Sequence, residues 1–260
     1  MYNSFESQPR IRPIPQQRVI EKLDGYMSRR DYAGAERHLL YWLEEARQGN
    51  DLRGELMLLG ELVGHYRKTG RRDKAIENGE AALALVDRLD FGGTLSAATV
   101  CVNYATALNA FGENARALAL FQRARSVYEA SAATRPELLG GLYNNMALTC
   151  VALGRYDEAD VLYDRAMDAM AQAPHGALEQ AITCLNRADL VAARDGMEAG
   201  GAAIYALADR AVALLDDPAL DHDGYYAFVC EKCVPTLEYY GYFDDARRLK
   251  EEAERIYAGA

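Results

Sequence analysis

Three asparagines, Asn103, Asn145 and Asn186, stand 42 and 41 residues apart, and each lies two residues before an alanine, Ala105, Ala147 and Ala188. An asparagine amide carries one acceptor oxygen and two donor hydrogens. It therefore matches a peptide group, which offers one C=O and one N–H, and can grip a main chain whatever its sequence. Asparagine is also a mediocre helix former, so three at equivalent places in helical patterns ask for a reason. The same register brings Glu61 before Val63 and Glu21 before Leu23 on one side, and Lys232 before Val234 on the other. Two helical residues turn the chain by roughly 200°, so these rungs are expected to face away from the packed alanine position. Asn144, Arg187 and Asp189 lie beside the rungs and would add polarity, while Gly60, Gly64 and Gly141 would let a ligand approach the backbone. Two other uses of the asparagines stay open: hydrogen bonding between adjacent helices, and plain solvation of a duplicated residue.

Two further groups could do chemistry. Cys230-Glu231-Lys232-Cys233 has the spacing of half a zinc site, but the nearest histidine, His222, lies about two helical turns upstream and outside any paired motif. Cys101, Cys184 and Cys230 share one register position, which reads better as a buried site filled by a small hydrophobe. Asp221-His222-Asp223 resembles an acid/base or metal cluster, yet it follows Pro218 and precedes a helical pattern, where aspartates cap. No phosphate-binding glycine loop, G-x-S-x-G elbow or H-E-x-x-H motif is present. The expectation is a non-enzymatic protein without metal or cofactor.

These residues must be held by paired helices. In 137–170 the apolar residues Leu142, Met146, Leu148, Ala152 and Leu153 recur at helical spacing up to Gly154. Tyr156, Ala159, Leu162, Tyr163, Ala166 and Met170 then recur at three and four residues. Glycine is the usual residue just past a helix end, so the stretch reads as a helical hairpin broken at Gly154. Its copies are in the chain. Gly70, Gly112 and Gly154 are spaced by 42 and 42, Gly241 lies 87 further on, and alanine follows each by five residues at 75, 117, 159 and 246. A weaker copy surrounds Ala35. A sixth hairpin between Ala177 and Asp216, aligned on Ala211, is expected to carry about one extra turn in the connection 195–201.

A small residue, then Gly-x-Tyr/Phe-x-x-Ala, then an aromatic and another alanine, resembles the tetratricopeptide repeat, from about Gln16 to Tyr257. The period of about 42 is similar to the long-helix subclass of kinesin light chains and bacterial peptide-sensing regulators, although cysteines replace the family's early aromatic. The resemblance implies an all-α, right-handed superhelical solenoid of about six antiparallel hairpins, whose first helices line a concave groove for a peptide or protein partner. The groove set is then Asn103, Asn144, Asn145, Asn186, Glu61, Lys232, Arg187, Asp189 and Tyr226. Tyr226 comes from an aromatic group with Tyr225, Tyr239 and Tyr240, which could equally cap the last hairpin. The alternative function is self-association as a homodimer through the terminal hairpins, around Trp42 and Tyr240, and a third, ranked below it, is a metal-dependent enzyme at His222, Cys230 and Cys233.

Composition sets the remaining expectations. The 260 residues are half hydrophobic, and the repeat runs through without a compositional shift, so 16–260 reads as one solenoid. Residues 1–15 are polar and proline-rich and read as an extended or disordered arm. A net charge of −10 weighs against nucleic acid and anionic membranes. Neither a signal-peptide core nor a run of about 18 apolar residues is present, which gives a cytoplasmic expectation. Pro235, inside a helical pattern, is expected to kink or split its helix after Val234.

Overall fold

The chain reverses direction at glycines that only a left-handed backbone can serve. Gly70, Gly112, Gly154 and Gly241 have φ of 70°, 79°, 72° and 88°. In each turn the following N–H reaches back to the helix just completed: Arg71 to the Tyr66 carbonyl at 2.8 Å, Glu113 to Leu108 at 2.9 Å, Arg155 to Cys150 at 2.8 Å and Tyr242 to Leu237 at 2.9 Å. Carbonyls that a helix end leaves unpaired are satisfied in this way, and the second helix starts two residues later.

The computed structural model describes residues 11–174 and 176–259. Among them are eleven helices and no strand: α1 (Gln16–Ser28), α2 (Tyr32–Gln48), α3 (Leu52–Lys68), α4 (Arg72–Arg88), α5 (Leu95–Ala110), α6 (Asn114–Ala130), α7 (Pro136–Ala152), α8 (Tyr156–Met170), α9 (Gly176–Leu215), α10 (Gly224–Tyr239) and α11 (Phe243–Ala258). Consecutive helices form hairpins, with α9 supplying both arms of the fifth because it turns at Gly196 (φ 76°). The fold is an all-α helical repeat. The chain divides into two compact units, one ending at Val127 and the other beginning at Tyr128.

In the first unit Ala35 and Ala75 are fully buried, as are Leu39, Leu58, Leu62 and Val86 around them. A Cβ on Gly79 of α4 would fall 2.2 Å from the Tyr104 ring of α5, so the close helix approach there requires glycine. Glu36 on α2 joins the first two hairpins: it accepts from Lys74 Nζ at 2.9 Å, Tyr66 Oη at 2.9 Å and Arg71 at 2.6 Å. The Lys74 bond above all holds its carboxyl down at about 2. In the second unit Ala159, Ala166, Ala208 and Ala246 are fully buried, and Leu178, Cys184, Tyr226, Cys230, Cys233 and Leu249 form one core. All five cysteines are buried and free. Burial pushes the Cys230 thiol up to about 11 and that of Cys233 to about 12.

Two details differ from the sequence reading and two add to it. Residues 1–10 lie outside the described residues, but 11–15 are pinned: the Arg12 N–H donates to the Gly49 carbonyl at 2.8 Å, and the Ile14 N–H to Oδ2 of Asp51 at 2.9 Å. The connection 195–201 does not carry the expected extra turn. Gly196, 42 residues after Gly154, turns the chain alone, and the extra turn lies in the second arm of α9, 197–215, against the shorter α8. Pro235 does not split α10, which continues to Tyr239. The proline is exposed and near the helix end, so it sacrifices one bond to a carbonyl that solvent can reach. Finally, the first hairpin lacks a turn glycine and places Arg30 at φ 56°.

Arg30 and Gly154 predict effects of opposite sign. Around Gly154 an added Cβ meets open space, so Gly154→Ala costs only the left-handed conformation, about 1–2 kcal/mol. Arg30→Gly removes that same penalty and stabilises by about 1 kcal/mol. Urea denaturation of the two variants checks both signs.

Candidate binding groove

Within the first unit, α3 presents Arg53, Leu56, Met57, Gly60 and Glu61 at i, i+3, i+4, i+7 and i+8. The adjacent α5 presents Ser96, Thr99, Val100 and Asn103 at i, i+3, i+4 and i+7. Each set is one helix face. Between them lies a cavity of 590 Å³, whose lining is completed by Gln16 of α1 and by Phe91 and Thr94 of the α4–α5 turn. Leu56 and Val100 form its buried apolar floor. At Gly60 the α3 backbone is bare, and a Cβ there would lie 3.9 Å from Nδ2 of Asn103. Of the expected groove residues, Glu61 and Asn103 thus share one concave site, with Gly60 between them.

The site is electrostatically uneven. Burial, followed by the charge of Asp24 on α1, raises the Glu61 carboxyl above its ordinary value. Nearby acids are matched: Glu36 has Arg71 and Lys74, and Glu55 has Arg47 at 2.9 Å. Among the described residues neither Arg53 nor Glu61 makes an ion pair. Asp51 caps α3 by accepting the Gly54 N–H at 3.0 Å and that of Ile14 at 2.9 Å, and among the described residues it makes no ion pair with Arg53.

In the second unit the asparagines meet each other. Asn186 Nδ2 donates to Oδ1 of Asn144 at 3.1 Å, and the Thr183 hydroxyl donates to the same oxygen at 3.3 Å, which ties α7 to α9. This is hydrogen bonding between adjacent helices, and the partner of Asn186 is Asn144 rather than Asn145. The half-buried Asn145 amide has no side-chain partner among the described residues, and its carbonyl accepts from Thr149 at 2.8 Å. Arg187 is engaged by α8, through Asp160 at 2.8 Å and Asp164 at 2.6 Å. Asp189 accepts the Tyr240 hydroxyl at 2.8 Å. Lys232 is exposed and lies 4.7 Å over the Phe228 ring.

Tyr226 is not among the residues of the α3–α5 cavity; it borders a separate cavity of 420 Å³ with Pro218, His222, Arg248 and Glu252. It is 1% exposed, its ring stacks on His222 at 4.2 Å, and its hydroxyl is directed to Glu252 at 3.2 Å. Tyr240 is likewise buried, which leaves Tyr225 and Tyr239 as the exposed pair of that aromatic group. Asp223 is the N-cap of α10, as its sequence position predicts, and accepts from the N–H groups of Tyr225 and Tyr226. A smaller cavity of 370 Å³ is lined by Glu137, Gly141, Met170, Pro174, Glu179 and Tyr225, with the Tyr225 hydroxyl donating to Glu179. Among the described residues no group of three or more His, Cys, Asp or Glu side chains is placed to hold a metal ion.

Arg53, Met57, Ser96 and Thr99 were not among the expected groove residues. Their signal is the stripe shared by α3 and α5, displaced from the rungs by one and two turns.

The family model of the tetratricopeptide repeat matches residues 55–130, which contain most of α3 and all of α4, α5 and α6. Over that stretch the chain is similar to the tetratricopeptide repeat. No curated protein matches the sequence. Among solved structures, BtubC (BKLC) from P. vanneervenii is similar over 89% of this chain and 91% of its own, with a TM-score of 0.57 and 17% identity. A chain from Podosopora anserina, described as a kinesin light chain of nearly identical TPR-like repeats, is similar over 78% of this chain and 95% of its own, with a TM-score of 0.52 and 18% identity. At such identities the likeness concerns the fold of the repeats. Tetratricopeptide repeats generally mediate protein–protein interaction, and scaffolds built from them are generally non-enzymatic. Among the described residues no helix is long and apolar enough to cross a membrane.

The environment of Glu61 fixes the sign of a substitution. A carboxyl whose folded pKa is raised holds its proton more tightly in the folded state. Its contribution to stability is therefore greatest below the ordinary value of 4.5 and is lost as pH rises through the folded value. Glu61→Gln is accordingly expected to raise the melting temperature at pH 7, with the gain shrinking towards pH 4. Thermal melts of both proteins across that range check this.

Proposed function

We propose that the protein is a non-enzymatic binding module that holds an extended segment of a partner protein against α3 and α5. The observation that carries this reading is the meeting of Gly60 and Asn103 over an apolar floor. A bare stretch of helix admits a main chain closely, and an amide on the opposite wall can pair with its peptide groups. A concave, mostly apolar site with a few directed polar groups is what a specific ligand requires. The Asn144–Asn186 bond supports a different role for that pair, the locking of one hairpin to the next. Asn145, the residue of α7 equivalent to Asn103, lies in the second unit and is proposed to serve a groove of that unit in the same way.

Self-association through the terminal hairpins has less support, because the hydroxyl and ring of Tyr240 are already engaged within one chain. The module is proposed to act in the cytoplasm on protein partners rather than nucleic acid or membranes, in keeping with its net charge of −10.

Gly60→Leu separates binding from folding. The new side chain enters the cavity without backbone strain, since Gly60 lies inside α3, and leucine is the better helix former by about 1 kcal/mol. Its expected effect is unchanged or slightly raised stability together with loss of peptide binding. Asn103→Ala is expected to weaken binding about tenfold, the equivalent of one hydrogen bond to a peptide group. Fluorescence anisotropy with a library of acetylated, amidated heptapeptides provides the reading. Binding by Gly60→Leu at the wild-type level would remove the groove from the account.

A further inference from the structure

We infer that this groove, read as a peptide site, selects a segment of mixed charge, with a basic side chain seated at Glu61 and an acidic one at Arg53, three or four residues apart. The two groups stand on one helix, eight residues and therefore about 12 Å apart along its axis. An extended chain advances roughly 3.3 Å per residue, so three to four residues bridge that distance. Between the two charges the wall offers apolar contact at Met57 and bare backbone at Gly60.

The two ends differ in more than one side chain. At the Arg53 end the first turns of α1, α3 and α5 come together, at Gln16, Arg53 and Ser96, and the exposed ends of their N–H ladders carry partial positive charge. The caps Asp51 and Thr94 occupy some of those N–H groups, but the guanidinium of Arg53 stays uncommitted. At the other end Glu61 and Asp24 are both acidic, and no cation among the described residues pairs with Glu61. Two acids that make no ion pair among the described residues favour an incoming ammonium or guanidinium group, whose arrival relieves their mutual repulsion. A uniformly acidic segment would meet Glu61 and Asp24, and a uniformly basic one would meet Arg53. The arrangement therefore discriminates by repulsion as well as attraction. The chain direction of the bound segment follows from which charge comes first in the selected sequences.

A positional heptapeptide library, acetylated and amidated so that only side chains carry charge, tests this against wild type, Arg53→Gln, Glu61→Gln and the double reversal Arg53→Glu/Glu61→Arg. Circular dichroism confirms that each variant is folded. Wild type is expected to enrich an acidic and a basic residue three or four positions apart. Glu61→Gln should lose the basic preference alone, Arg53→Gln the acidic preference alone, each with about tenfold weaker binding of the best peptide. The double reversal should invert the order of the two charges. If peptides bind, and binding depends on Gly60 and Asn103 but shows no such pairing, the charge inference fails while the groove reading stands. If no heptapeptide binds, both fail.

Discussion

The close approach of helix backbones constrains everything else in this chain. Two helices can lie this near each other only where the facing residues are small, which is why Ala75, Ala117, Ala159 and Ala246 are wholly buried. They can be joined this tightly only where one residue takes a left-handed backbone. Turn glycine and packing alanine are therefore one device, and its repetition sets the period of about 42 residues. Because a single hairpin cannot cover its own apolar faces, the next is needed, and the groove is the surface left over when first helices are set side by side.

This constraint explains how much of the molecule was legible in the sequence. Gly70, Gly112, Gly154 and Gly241, with an alanine five residues after each, announce four of the six turns because steric rules permit few residues there. Arg30 and Gly196 are harder to read for opposite reasons. At the first turn an arginine tolerates a conformation that costs it energy. In α9 the glycine is present and Ala208 follows it by twelve residues, as Ala166 follows Gly154, but Gly201 stands where the other copies have the alanine five residues on. Pro235 misleads because the rule against proline in a helix weakens at exposed positions near the end, where solvent replaces the lost partner.

The site was less legible than the fold. A ladder drawn at constant spacing treats Asn103, Asn145 and Asn186 alike, yet their neighbours are not alike. Asn103 looks onto Gly60, whereas Asn186 finds Asn144 on α7, the first helix of the preceding hairpin, and hydrogen-bonds to it. Register determines the direction in which a side chain leaves its helix. The side chain opposite, which varies from repeat to repeat, determines whether it is free. The same limit applies to Tyr226, whose place beside other tyrosines gave no sign that His222 and Glu252 would enclose it. Arg53 and Thr99 carry no motif and become groove residues only when α3 and α5 are side by side.

Amide-resolved NMR during titration with an extended peptide of paired charge tests the central claim most directly. The account predicts concerted shifts at Arg53, Gly60, Glu61 and Asn103, with the Asn103 side-chain amide moving most. Shifts confined to exposed faces outside the cavity, such as Leu40 and Tyr41 on α2, would contradict it.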